Sequence, residues 1–176
     1  MARCEAAGVR GFVLTVDTPV WGVRERDVRN GFRVPDGLRM ANLERPGGPT
    51  GHTGRGIGEC PGWKIDAAPS WSDLEALCGW TSLPVLVKGL CRGDDARQAL
   101  ECGAKGVIVS NHGGRQLDGA PPTAESLPEV VGAVERKAAV LVDGGIRRGV
   151  DVIRALALGA DAVLLGRPIL WGLAAG

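Results

Sequence analysis

The feature that most constrains the fold is a recurring unit. A short, continuous, β-branched apolar run is followed by a polar or glycine-rich break and then by a longer stretch with helical character. The apolar runs fall at residues 12–16, 85–87, 107–109, 140–142 and 163–165. Runs this short, with no polar alternation, read as strands covered on both faces. The stretches at residues 72–77, 94–102, 123–137 and 150–158 read as helices, each followed by glycine or ending in basic side chains. Ser70 or Ser72, Gly93 and Thr123 are candidate helix starts, and Gly103 and Gly159 candidate C-terminal caps. Strand then helix, repeated, predicts an α/β fold with parallel strands.

Polar residues gather where each strand ends. Asp17 follows the first, Lys88 the second, Ser110-Asn111-His112 the third, Asp143-Gly144-Gly145 the fourth and Gly166-Arg167 the fifth. In barrels and open α/β sheets alike, ligands bind at the carboxyl ends of the strands, so five strands aim chemistry at one face. The connection at about 19–69 breaks the regular spacing and is rich in glycine. Its length points to a flap over that face rather than a simple turn, with His52 expected to be a solvated loop residue.

Composition narrows the function classes. Glycine supplies 28 of 176 residues, more than twice the usual share of roughly 7%, as a chain of many tight turns requires. Twenty-one Lys and Arg nearly cancel 20 Asp and Glu, which argues against a broad electrostatic footprint for nucleic acid or an anionic membrane. No apolar stretch approaches the 18 or so residues that span a bilayer, and no signal peptide or membrane anchor is visible. A cytoplasmic protein is expected. The five cysteines, Cys4, Cys60, Cys78, Cys91 and Cys102, form no C-x-x-C pair and read as scattered reduced thiols, with no metal site.

Four groups carry candidate chemistry. Asp143-Gly-Gly-Ile-Arg-Arg-Gly149 ends a strand and opens a helix, and Gly166-Arg-Pro168 ends the next strand. Glycines admit a phosphate to backbone amides, the helix N-terminus adds positive potential, and Arg147 or Arg167 offers bidentate contacts. No dinucleotide fingerprint or nucleotide-triphosphate P-loop occurs. In Ser110-Asn-His-Gly-Gly-Arg-Gln-Leu-Asp118, His112 is a candidate general base and Arg115 a carboxylate clamp three residues on. Asp17 either orients that imidazole or caps the Thr18-Pro19 turn. Lys88 has three readings: it forms a Schiff base, it stays protonated against developing negative charge, or it is a surface lysine. Of Arg24, Arg26 and Arg29, Arg24 lies nearest the strand end and is the site candidate; the others belong to an exposed charged stretch.

These motifs, with Leu14-Thr-Val-Asp-Thr-Pro19, Arg26-Asp-Val-Arg-Asn-Gly-Phe32 and Leu86-Val-Lys-Gly89, closely resemble the FMN-dependent α-hydroxy acid oxidases and dehydrogenases. That family includes glycolate oxidase, lactate monooxygenase and mandelate dehydrogenase. Six motifs occur in the family's order over nearly the whole chain. The resemblance implies a partial TIM (β/α)8 barrel forming a single domain over 1–176, its five strands being the fourth to eighth, without the N-terminal strands and the C-terminal helix. It further implies oxidation of an (S)-2-hydroxy acid to the 2-oxo acid with FMN as cofactor. By motif, His112 is the base and Asp17 its charge partner, while Arg115 and Arg24 hold the substrate carboxylate. Lys88 lies at the flavin, Thr15 and Ser110 contact it, and Asp143, Gly144, Gly145, Ile146, Arg147, Gly166 and Arg167 take its ribityl and phosphate groups. For complete enzymes the resemblance implies homo-oligomers, tetramers or octamers. The alternative is a non-catalytic FMN- or phosphate-binding fragment, inactive without the upstream half. Val23 stands where many relatives carry a second arginine.

Overall fold

The computed structural model describes residues 1–20, 22–33, 35, 38 and 69–176. His52 and most of the expected flap lie outside them. The elements run α1 (Ala2–Ala6), β1 (Phe12–Thr15), α2 (Glu25–Arg29), α3 (Trp71–Gly79), β2 (Val85–Leu90), α4 (Gly93–Glu101), β3 (Gly106–Val109), α5 (Thr123–Val134), β4 (Ala139–Val142), α6 (Gly149–Ala157), β5 (Ala162–Val163) and α7 (Arg167–Ala175). The strands form one sheet in the order β1-β2-β3-β4-β5, every neighbouring pair parallel.

Side-chain alternation divides the sheet into two unlike faces. Val85 and Val87 of β2, Val107 and Val109 of β3, and Val140 and Val142 of β4 pack in one cluster with Leu74 of α3, Ala96 and Ala99 of α4, Leu127, Val130 and Val134 of α5, and Ala155 of α6. Removing each Val or Leu side chain from water contributes about 1.5–3 kcal/mol, so this helix-covered face holds the fold together. The opposite face carries Val13, Leu86, Lys88, Ile108 and Leu141. Ile108 is buried there, while Val13 on the edge strand is 52% exposed.

Several sequence expectations shift in detail. β3 is buried throughout, as a continuous apolar run predicts, but β1 alternates between half-buried and exposed residues because it is an edge strand with one open face. The segment read as flap carries the short helix α2. Helix α5 stops at Val134, not residue 137, because Glu135 and Arg136 turn left-handed at φ 53° and 59°. Thr123 is the first residue of that helix, with Pro122 as its N-cap. A nine-residue helix, α7, follows β5, where no C-terminal helix was expected. Ser70 does cap α3, accepting from the Asp73 N–H while the Asp73 carboxylate accepts from the Ser70 N–H. Gly103 and Gly159 follow their helices at φ 99° and 101°, the left-handed geometry expected of them.

Candidate active site

Parallel strands bring their carboxyl ends to one rim, and the candidate residues meet there. Thr15 pairs in register with Lys88, and Lys88 with Ile108 of β3. Gly89 then interrupts the ladder between β2 and β3 at a bulge, with φ 110°. A Cβ at this position would stand 2.7 Å from the Asp17 side chain and 2.8 Å from its backbone nitrogen. The bulge and the missing side chain together admit Asp17 to the rim.

Asp17 Oδ1 lies 3.0 Å from His112 Nδ1. The carboxylate is nearly buried and the imidazole about one-third exposed, at 11% and 34% of their side-chain surfaces. A carboxylate on Nδ1 fixes the ring orientation and leaves Nε2 for proton transfer. His112 itself sits at φ 57°, a conformation uncommon outside glycine, and its backbone N–H donates to Ser110 Oγ at 3.0 Å. The same hydroxyl oxygen accepts from Lys88 Nζ at 2.8 Å, and Lys88 also pairs with Asp143 Oδ2 at 2.9 Å. Both members of that pair are more than four-fifths buried, so Lys88 is no surface lysine. Behind them, the Cys91 thiol donates to the Ser110 carbonyl, and burial pushes its pKa up, as suits a structural thiol. The four cysteines among the described residues are all free.

The two arginines expected to clamp a carboxylate come from different loops. Arg115 lines a cleft of about 380 Å³ with Lys88, His112, Asp143 and Gly166. Arg24 is the N-cap residue of α2 and donates from Nη2 to Gln116 Oε1 at 2.7 Å. Burial, and then the neighbouring Arg115 charge, lower the Arg24 pKa from its ordinary value. Arg29 instead pairs with Glu25 on the exposed face of α2.

A second cleft, of about 410 Å³, adjoins the first and shares Gly113, Gly144, Gly145, Ile146, Arg167 and Pro168 with it. Arg167 Nη2 donates to the Gly113 carbonyl at 2.6 Å, and a Cβ on Gly113 would meet that guanidinium at 2.7 Å. A Cβ on Gly144 would stand 3.1 Å from Thr123 Oγ1, which donates to the Asp143 carbonyl. The Arg147 guanidinium lies over the Trp171 ring of α7, 5.7 Å from its centroid, within cation–π range. Asp151 caps α6 by accepting from the Arg147 and Arg148 N–H groups at 3.1 and 3.0 Å. Three buried polar atoms lack partners among the described residues: Asp17 Oδ2, Arg24 Nη1 and Asp143 Oδ1. All three belong to this rim. A glycine-lined cleft with two arginines, beside an enclosed Lys–Asp pair and unpartnered polar atoms, suits a phosphate-bearing polar cofactor.

The whole chain, residues 1–176, matches the family described as FMN-dependent dehydrogenase. The chain belongs to that family. An L-lactate oxidase of Nostoc sp. is 53% identical over 183 residues, covering 99% of this chain and 48% of that protein. The 2-hydroxyacid oxidase 1 of Mus musculus is 51% identical over 177 residues, covering 98% and 48% respectively. A crystal structure of mandelate oxidase with (S)-2-phenylpropionate superposes with a TM-score of 0.82 at 48% identity, over 99% of this chain and 46% of that one. The chain thus spans about half the length of the curated relatives it matches, and its five parallel strands with their helices form part of a TIM barrel. No helix among the described residues is long and apolar enough to cross a membrane.

The structure gathers Asp17, Lys88, Ser110, His112, Arg115, Asp143 to Arg147, Gly166 and Arg167 at one rim, with Thr15 at the end of the exposed edge strand and Arg24 joined through Gln116. Sequence reasoning gave no site role to Gln116, Gly89, Asp151 or Trp171, and read Thr123 only as a helix start, without its bond to the Asp143 carbonyl. Gln116 and Gly89 lay inside quoted motifs and Asp151 inside the stretch 150–158 read as a helix, so these carried a signal. Nothing in the sequence pairs Trp171 with Arg147.

Proposed function

We propose that this chain carries the catalytic rim of an FMN-dependent oxidoreductase that converts a 2-hydroxy acid to the 2-oxo acid. The observation that carries the reading is the Asp17–His112 contact at 3.0 Å, with Arg24 and Arg115 on the same rim. Two guanidiniums recognise a carboxylate. With that carboxylate held, His112 takes a proton from the substrate, and Asp17 stabilises the imidazolium that results. The oxidation also releases two electrons and a second proton, which FMN would take up together when bound. Lys88, held by Ser110 and Asp143, supplies a fixed positive charge for the anionic side of that exchange. Its engagement in this ion pair speaks for the charge-stabilising role over the Schiff base. Asp143 to Arg147, Gly166 and Arg167 would hold the cofactor's ribityl and phosphate groups, while Thr15 and Ser110 would contact the flavin.

A second reading is a chain that holds FMN without turning over; it spans about half its relatives' length. One experiment separates the two. The FMN-loaded protein is mixed anaerobically with (S)-2-hydroxy acids and flavin bleaching is followed. Catalysis predicts bleaching, and His112→Ala should slow it by roughly 10²–10⁴-fold while FMN stays bound. Bleaching at an unchanged rate in His112→Ala would remove His112 as base. FMN binding with no bleaching by any 2-hydroxy acid would favour the second reading.

A further inference from the structure

We propose that Gln116 is a positioning residue for substrate recognition, a neutral strut that holds the Arg24 guanidinium beside the like-charged Arg115. The inference rests on the reading of those arginines as the carboxylate clamp. Two guanidiniums on one rim repel each other, and Arg24 opens a helix of only five residues, a weak anchor for a long side chain. Gln116 supplies the restraint. Its Oε1 accepts from Arg24 Nη2 at 2.7 Å, and its Nε2 donates to the Val20 carbonyl at 2.9 Å. These partners allow only one amide orientation, because a flipped amide would set NH₂ against the guanidinium and oxygen against the carbonyl.

The surrounding backbone reinforces the contact. A Cβ on Gly22 would lie 2.2 Å from the Arg115 carbonyl oxygen and 2.9 Å from the Gln116 Cα. The segment bearing Arg24 is therefore pressed onto the Arg115–Gln116 backbone, 92 residues away along the chain. Arg24 Nη1 remains buried without a partner among the described residues. Holding Nη2 with an uncharged acceptor fixes the side chain and leaves the guanidinium's positive charge uncompensated by any carboxylate among its described partners, so that charge acts together with Arg115 on a substrate carboxylate. A glutamate in the same place would satisfy Nη2 equally well and cancel that charge.

The test uses the FMN-loaded full-length protein with Gln116→Met and Gln116→Glu. Binding of oxalate, a carboxylate with no α-hydrogen to lose, is measured by calorimetry, FMN affinity by fluorescence, and KM and kcat by flavin turnover. Both variants are expected to raise the oxalate Kd and the KM about tenfold, the loss of one charge-assisted hydrogen bond or of the net charge. FMN affinity should stay within about twofold and kcat within about threefold. A purely structural role predicts instead that Glu restores oxalate binding, or that FMN affinity falls in step with it; either result overturns the proposal. So does an oxalate Kd within twofold of wild type in Gln116→Met. Failure of the wild-type protein to bind oxalate at all would overturn the clamp reading and this inference together.

Discussion

Gly89 shows how much of the rim hangs on a single missing side chain. Its φ of 110° and the 2.7 Å approach to Asp17 mean that alanine meets two penalties at once, backbone strain and collision with a carboxylate already held on His112. Gly89→Ala is expected to destabilise the protein by about 2–4 kcal/mol. Moving Asp17 should also slow flavin reduction by more than any change in FMN affinity accounts for. Denaturant titration and single-turnover bleaching measure the two effects separately. An alanine variant with wild-type stability would mean that the bulge relaxes freely and that Gly89 does not set the place of Asp17. Residues of this kind leave no mark of their role in a local sequence window. Gly89 reads there as punctuation after a strand, and its necessity comes from a neighbour on another strand.

Among the elements, α6 ties stability to the proposed cofactor cradle. Asp151 accepts from the Arg147 and Arg148 N–H groups, and these bonds hold its pKa below the ordinary 3.8. A carboxyl group depressed on folding stabilises the native state above its unfolded pKa, and that contribution disappears as pH falls through the folded value. Asp151→Ala should therefore unfold more easily than wild type at pH 7, with the gap closing as pH drops below about 3.8. Because the frayed turn carries Arg147, FMN affinity at pH 7 should fall by several-fold to roughly tenfold. Parallel melting curves across pH, together with a fluorescence titration of FMN, check both effects; a gap that does not narrow at all as pH falls below about 3.8 would show that the carboxylate is not its source. At this scale much of the fold was legible. Continuous apolar runs located all five strands, and strand-end polar residues located the rim, because burial and topology act on local sequence. The early end of α5 was not legible, since the left-handed Glu135 and Arg136 are set by the return to β4. Helix α7 was missed because its apolar residues resemble the end of a strand unit. Arg24–Gln116 and Arg147–Trp171 depend on loops far apart in sequence, beyond the reach of any spacing rule.

Across the described residues, the helix-covered face of the sheet carries the core, while the candidate catalytic rim is assembled largely from loops that follow separate strands. The cradle draws on the loops after β3, β4 and β5, joined by the Arg167–Gly113 and Thr123–Asp143 hydrogen bonds. A ligand that engages these loops binds the folded state and not the unfolded chain, so its affinity appears as stability. FMN at a hundred times its Kd should add about 2.7 kcal/mol, a rise in Tm of roughly 5–10 °C for a chain of this size. Riboflavin offers the same ring and ribityl chain without the phosphate. If Arg147 and Arg167 each make a charge-assisted hydrogen bond to that phosphate, worth about 1.5–3 kcal/mol apiece, riboflavin binds at least about a hundredfold more weakly. At the same concentration it then occupies no more than about half of the sites and stabilises by at most about 0.4 kcal/mol, a shift of no more than about 2 °C. Thermal melts with matched FMN and riboflavin measure the difference directly. Equal shifts would place the binding energy in the ring contacts around Lys88 and strip the arginine cradle of its role, whereas a large FMN shift beside a small riboflavin shift locates the anchor at the ends of β4 and β5.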